Sequence, residues 1–125
     1  MKTKNDLKDL QKLAYTLLKD RNWLDHHTPT TDALNIMCEA AELQELFLWT
    51  RTTEESFERL EKIHISAQDE AADILFALLS FCNTTGIDLE DAFLQKLEKT
   101  KSKYPVDRAS GQDYEAIKWG NKFKK

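Results

Sequence analysis

Glu39-Ala-Ala-Glu42-Leu-Gln-Glu45 and, after a spacer, Glu70-Ala-Ala-Asp73 are the stretches on which the reading of this chain turns. Residues three apart on an α-helix project from one face. Glu39 with Glu42, and Glu70 with Asp73, are therefore two carboxylate pairs, each aimed in a single direction. Alanines separate the acids and allow close approach of a neighbouring backbone. The surroundings are apolar: Leu34, Ile36 and Met37 before the first pair, Leu46, Phe47 and Leu48 after it, and Ile74, Leu75, Leu78 and Leu79 after the second. A carboxylate in such surroundings is expensive unless something compensates its charge. No Lys, Arg or His lies within four residues of either pair. The compensating charge must come from elsewhere in the fold or from a metal ion. Four oxygen donors without Cys or His suit a hard cation, Mg²⁺ or Mn²⁺. A carboxylate-bridged di-iron bundle would want Glu-x-x-His on two helices. His26, His27 and His64 are not placed to supply it. The competing reading, two solvated acidic helix faces, is common for a single pair and weaker for two.

The rest of the chain reads as helices around these pairs. A first helix, capped by Asn5 or Thr3, runs to about Arg21 on the stripe Leu7, Leu10, Ala14, Leu17 and Leu18. Thr28-Pro29 interrupts the chain, and Thr30 or Thr31 starts a second helix reaching Trp49, with Asp32 in its first turn. A short helix follows from Glu54 to about Glu61, with a kink or new start near Ile63-His64-Ile65-Ser66. A third long helix runs to Thr84 and stops at Gly86. Asp88 caps a fourth, Leu89 to about Lys103, ended by Tyr104-Pro105. The fold class is all-α, a four- to five-helix bundle. A bundle this small often completes its core in an oligomer. Residues 1–105 read as the domain and 106–125 as a partly ordered tail, in which Tyr114, Ile117 and Trp119 can pack locally.

Composition narrows the function. The 125 residues carry a net charge of −4, with hydrophobic residues at 41% and charged residues at 32%. Three Gly and two Pro are too few for the turns of an all-β fold. No stretch is long and apolar enough for a membrane span, and no signal-peptide pattern opens the chain. The location expected is the cytoplasm, where Cys38 and Cys82 read as buried free thiols. From Met37 to Asp91 there are thirteen acids against Arg51, Arg59 and Lys62, whereas from Lys96 onward bases outnumber acids nine to four. The whole is too acidic for a general nucleic-acid binder. An acidic middle and a basic end attract each other, or form two halves of a site for metal and polyphosphate. Lys96, Lys99 and Lys103 sit on adjacent turns, placed for outer phosphates or simply for water at a helix C-terminus. Trp23 and His27 read either as base contacts at a pocket mouth or as a bundle-end plug and a loop residue. No Walker A loop, Rossmann fingerprint or Ser/His/Asp constellation is present.

Together these motifs resemble the all-α nucleoside triphosphate pyrophosphohydrolases, the MazG-like group, and within it the dCTP pyrophosphatase branch. The resemblance rests on Glu39-x-x-Glu42 and Glu70-x-x-Asp73. It rests also on His27-Thr28-Pro29, Glu45-Leu-Phe-x-Trp49, Gly86-Ile-Asp-Leu and Lys96 through Lys103-Tyr104-Pro105. It implies Mg²⁺-dependent cleavage of a (deoxy)nucleoside triphosphate to monophosphate and pyrophosphate by a homodimer or homotetramer. Glu39, Glu42, Glu70 and Asp73 would hold the metal, with Glu42 and Glu45 the catalytic acids. Lys96, Lys103 and Tyr104 would contact phosphates, and Trp23, His27 and Trp49 the base or its pocket wall. Thr100 stands where the group often has Asn, and Thr30-Thr31-Asp32 replaces a more apolar or Asn-bearing run. The alternative is a helical module that holds nucleotide and metal without hydrolysis, as a sensor or regulatory dimer.

Overall fold

The computed structural model describes residues 4–111. Every regular element among them is helical: α1 (Leu7–Asp20), a 3-10 turn (Leu24–His26), α2 (Pro29–Glu45), α3 (Thr53–Thr85), α4 (Leu89–Lys103) and α5 (Val106–Ala109). The expected fold class, all-α, is the one observed. Tyr114, Ile117 and Trp119 lie outside the described residues.

The helix starts are set by side-chain caps one to three residues from where the pattern alone places them. Asp6, not Asn5, caps α1. Its carboxylate accepts from the Asp9 amide at 2.8 Å, and Asp9 returns the bond to the Asp6 amide at 3.0 Å. This reciprocal box stabilises a helix start by about 1 kcal/mol. Thr28, not Thr30 or Thr31, caps α2, in a matching box with Thr31. Pro29 thus begins the helix that it was expected to interrupt. At that position its missing N–H would have had no helical partner and its fixed φ is already helical.

The ends are equally local. Asn22 takes φ 56°, and Trp23 N–H reaches back to the Leu18 carbonyl at 2.9 Å, so α1 closes in a Schellman turn one residue before Arg21. Helix α2 stops at Glu45 rather than Trp49. Residues 46–48 tighten into three-residue bonds, Trp49 adopts φ 69°, and the Thr50 hydroxyl seals the turn on the Phe47 carbonyl at 2.6 Å. Helix α3 runs unbroken in hydrogen bonding from Thr53, with one non-helical residue, Ile63 (φ −118°, ψ 18°). The expected kink is there, but it joins two helices into one. Gly86 ends α3 at φ 76°, a left-handed conformation that glycine adopts without a Cβ penalty.

The described residues fall into two compact units, divided after Leu89. In the first, α1 and α2 each pack on α3. Its buried centre is small: Ala14, Leu18, Ala77, Leu79 and Cys82. Asn83 of α3 and Gln11 of α1 clasp each other, Asn83 Nδ2 donating to the Gln11 carbonyl at 2.8 Å. Cys82 is buried, and burial raises its thiol pKa. Cys38 is exposed, contrary to expectation, on a side of α2 that also leaves Leu34 and Met37 open. The second unit contains α4 and α5. Phe93, Leu94 and Leu97 of α4 are exposed. No single described helix is long and apolar enough to cross a membrane.

Candidate metal centre

Because α2 packs along α3, the two acid pairs meet. Glu39 and Glu42 from α2, and Glu70 and Asp73 from α3, each offer a carboxylate oxygen, and these four atoms lie within 4.8 Å of one another. Glu39 and Glu70 are half-buried, and Glu42 and Asp73 face outward. One oxygen of Glu39 and one of Glu70, Oε2 in each, is buried with no hydrogen-bond partner among the described residues. None of the ion pairs among the described residues involves these acids.

The electrostatics follow from that crowding. Burial pushes the Glu39 carboxyl above its ordinary value. Repulsion from Glu42, a side-chain hydrogen bond with Glu42 and repulsion from Asp73 push it further. Burial likewise raises Glu70, with a hydrogen bond to Glu42 and the charges of Glu42, Asp73 and Glu39 adding to it. Each cause opposes the charged form. A divalent cation would reverse the logic: its charge would favour the ionised carboxylates, and the two orphaned oxygens would be among the donors offered to it. An all-oxygen donor set with no thiolate or imidazole fits a hard ion of the Mg²⁺ or Mn²⁺ type.

The grouped oxygens come from these four acids, and the other residues singled out in the sequence are placed as follows. Glu45 is exposed at the last residue of α2. Trp23 is 49% exposed just after α1. Trp49 is 84% exposed on its left-handed turn, beside a polar hollow of about 310 Å³ lined by Arg51, Arg59 and Lys62. In the second unit, Lys96 and Lys103 are exposed. Lys103 Nζ stands 5.5 Å over the Tyr104 ring, and the Thr100 hydroxyl turns back onto the Lys96 carbonyl at 3.0 Å.

His27 is held by a partner that sequence reasoning treated as a helix-start residue. Its Nδ1 meets Asp32 Oδ1 at 2.6 Å, and the Thr84 hydroxyl donates to Asp32 Oδ2 at 2.6 Å. Asp32 is 3% exposed. The available signal was Asp32 itself, a charge in a run where an apolar residue or Asn was expected.

An all-helical unit with four carboxylates gathered between two packed helices defines a class: α-helical proteins with an all-oxygen cluster that could hold a metal ion. The chain belongs to the MazG-like family, whose model matches residues 34–118. It is 29% identical over 106 residues to dCTP pyrophosphatase 1 of Mus musculus, a match covering 84% of this chain and 62% of that protein. It is 30% identical over 106 residues to the Bos taurus protein of the same name, covering 84% and 63%. The chain thus spans less than two thirds of the length of these curated relatives. A pyrophosphatase of known crystal structure from Archaeoglobus fulgidus superposes with a TM-score of 0.77 at 36% identity, covering 84% of this chain and 97% of that one.

Proposed function

We propose that this chain hydrolyses a nucleoside triphosphate to the monophosphate and pyrophosphate, with a dCTP-like nucleotide favoured, as a house-cleaning activity on nucleotide pools in the cytoplasm. The observation that carries the reading is the meeting of Glu39, Glu42, Glu70 and Asp73 within 4.8 Å, with two buried oxygens unsatisfied. Membership of the MazG-like family and the names of the relatives support it.

The four acids would hold Mg²⁺, or Mn²⁺ in its place. Bound there, such an ion supplies positive charge to phosphate oxygens and makes a nearby water more acidic. The chain supplies the rest. Glu42 and Glu45 follow one another at three-residue spacing on α2, so Glu45 is the acid next in line to orient the attacking water. Lys96, Lys103 and Tyr104 provide cationic and hydroxyl donors for the β- and γ-phosphates. Trp23, His27 and Trp49 provide aromatic surface for the base. These roles are assigned to a domain ending near Pro105.

A homodimer or homotetramer is part of the proposal. Leu13 and Leu17 of α1 and Leu75 of α3 are exposed around an apolar groove of about 270 Å³, and Phe57 and Ile65 of α3 are exposed as well. That is more open apolar surface than so small a core explains. The test is incubation of the purified protein with a panel of nucleoside triphosphates and Mg²⁺, followed by pyrophosphate detection. Pyrophosphate and monophosphate in equal amounts are expected. Folded protein that binds metal and releases neither overturns the reading.

A further inference from the structure

We propose that Asp32 is a positioning residue. It fixes the imidazole of His27 so that Nε2 is presented as a hydrogen-bond acceptor to the bound nucleotide, with Thr84 holding the Asp32 carboxylate in place. The inference rests on the nucleotide reading only for the identity of the ligand; the geometry stands without it.

Asp32 is a carboxylate with almost no access to water, and its two oxygens are engaged by two different elements. Oδ1 faces His27 Nδ1, just before α2, and Oδ2 accepts from Thr84, near the end of α3. Both distances are 2.6 Å, short enough for charge-assisted bonds. An ionised carboxylate only accepts. The proton between Asp32 and His27 therefore sits on Nδ1. In the neutral ring that leaves Nε2 with a lone pair and no hydrogen. The imidazole has one polar atom to spare, and its character is set by Asp32.

Among the described residues, the His27 ring hydrogen-bonds through Nδ1 alone. His27 lines a cavity of about 170 Å³ with Tyr15, Leu18, Leu24, Ser80, Thr84 and Asn83, whose amide is engaged by Gln11. Ser80 is 3% exposed, and its Oγ has no hydrogen-bond partner among the described residues. A buried hydroxyl left unpaired costs free energy unless a ligand satisfies it. Two leucine walls with an acceptor nitrogen and an unspent hydroxyl suit a flat, partly polar ring. Pockets that engulf drug-sized ligands run roughly 300–1,000 Å³, so this one takes a ring and not a whole nucleotide. With Nε2 an acceptor, the group it selects is a donor, an exocyclic amine in preference to a carbonyl oxygen.

The test combines a tautomer measurement with kinetics. Long-range ¹H–¹⁵N correlation on the wild-type protein reads which His27 nitrogen bears the proton in the neutral ring. The expected signature is protonated Nδ1 and bare Nε2, lost in Asp32→Asn, whose amide can donate to Nδ1 instead. Asp32→Asn raises KM for dCTP about tenfold, the worth of one well-placed hydrogen bond, and leaves kcat within about twofold. It adds nothing to His27→Ala, and it lowers the kcat/KM ratio of dCTP over dUTP. Thr84→Val raises KM and Thr84→Ser restores it, which keeps the question answerable if Asp32→Asn does not fold. A wild-type ring protonated at Nε2, effects of Asp32→Asn and His27→Ala that multiply, or equal KM in the two Thr84 variants overturns the proposal. A lower melting temperature with unchanged KM also overturns it, because a purely structural clip behaves that way. If the wild type releases no pyrophosphate from any nucleotide, the function reading has failed instead. The tautomer, with the Kd of Mg²⁺–dCTP in place of KM, then still decides the role of Asp32.

Discussion

Two polar groupings lie in the first unit, and they are built on opposite terms. At the Glu39, Glu42, Glu70 and Asp73 cluster, like charges crowd together, and two buried oxygens find no donor. At His27, Asp32 and Thr84, one buried carboxylate has both oxygens engaged. The first is an arrangement that the fold alone does not stabilise and a cation would. In the second, the carboxylate is satisfied within the protein by partners on both of its oxygens. The difference separates a place that receives a ligand from a place that orients a side chain. It also predicts that substitutions in the two regions move stability in opposite directions.

The largest effect is expected on catalysis. Glu70→Gln keeps the shape of the side chain and removes one cation ligand, so pyrophosphate release should fall on the order of 10³-fold, in line with losing most of a metal's transition-state stabilisation. The same variant, freed of Mg²⁺, should melt higher than the wild type, because an uncompensated charge has left a repulsive cluster. Lower activity with a lower melting temperature would mean that Glu70 is part of the scaffold, and the contrast between the two regions would dissolve.

The second effect is on pH and metal. Glu39 and Glu70 have folded pKa values raised above the ordinary 4.5. Between that value and the raised ones, the folded chain binds more protons than the unfolded chain, so stability falls as pH rises through the window. Metal-free protein should therefore gain melting temperature from this cluster as the pH drops from neutral toward 5. Saturating Mg²⁺ should flatten that gain, because the cation takes the place of the protons. By the same linkage, metal affinity should weaken as the pH falls. Differential scanning fluorimetry across pH, with EDTA and with Mg²⁺, reads both. A metal-free melting temperature that falls on acidification to pH 5, with other carboxylates unable to account for it, would contradict the cluster's electrostatics.

The third effect belongs to the satisfied region. Thr84→Val leaves a buried Asp32 oxygen without its donor, at a cost of about 1–3 kcal/mol. Denaturant unfolding should show that loss with or without Mg²⁺. A loss that appears only in the presence of metal would tie Thr84 to the acid cluster and blur the distinction.

What the sequence made legible follows the range of each interaction. The two acid pairs are written in residues three apart, the stop at Gly86 in a glycine at a helix end, and the bend near Ile63 in a local break of the helical period, so short-range pattern alone reveals them. The true caps, Asp6 and Thr28, were missed because a neighbouring Asn or Thr fits the same pattern. Only the reciprocal partner three residues on, Asp9 or Thr31, tells them apart. The unwinding of α2 after Glu45 was hidden because Phe47 and Trp49 continue the apolar pattern while the backbone has already turned. Asp32 was the least legible of all. Its partner Thr84 lies 52 residues away, and its inward aim depends on how α2 and α3 meet. Cys38 was misjudged for a related reason. An apolar neighbourhood in sequence is not a covered face in space.

The smallest expected effect calibrates the others. Gly86→Ala touches neither polar grouping. A Cβ at this position meets nothing within 4 Å, so no clash is created. The whole cost is the left-handed backbone at φ 76°, which an L-residue adopts at a penalty of about 1 kcal/mol. The variant should lose that much stability, keep its dependence on Mg²⁺ and pH, and release pyrophosphate at the wild-type KM. The end of α3 carries Thr84, two residues upstream, so a Gly86→Ala chain with a raised KM would show that the α3 terminus is coupled to His27 through backbone position. In that case the orienting region extends beyond its three hydrogen-bonded side chains to the turn that places one of them.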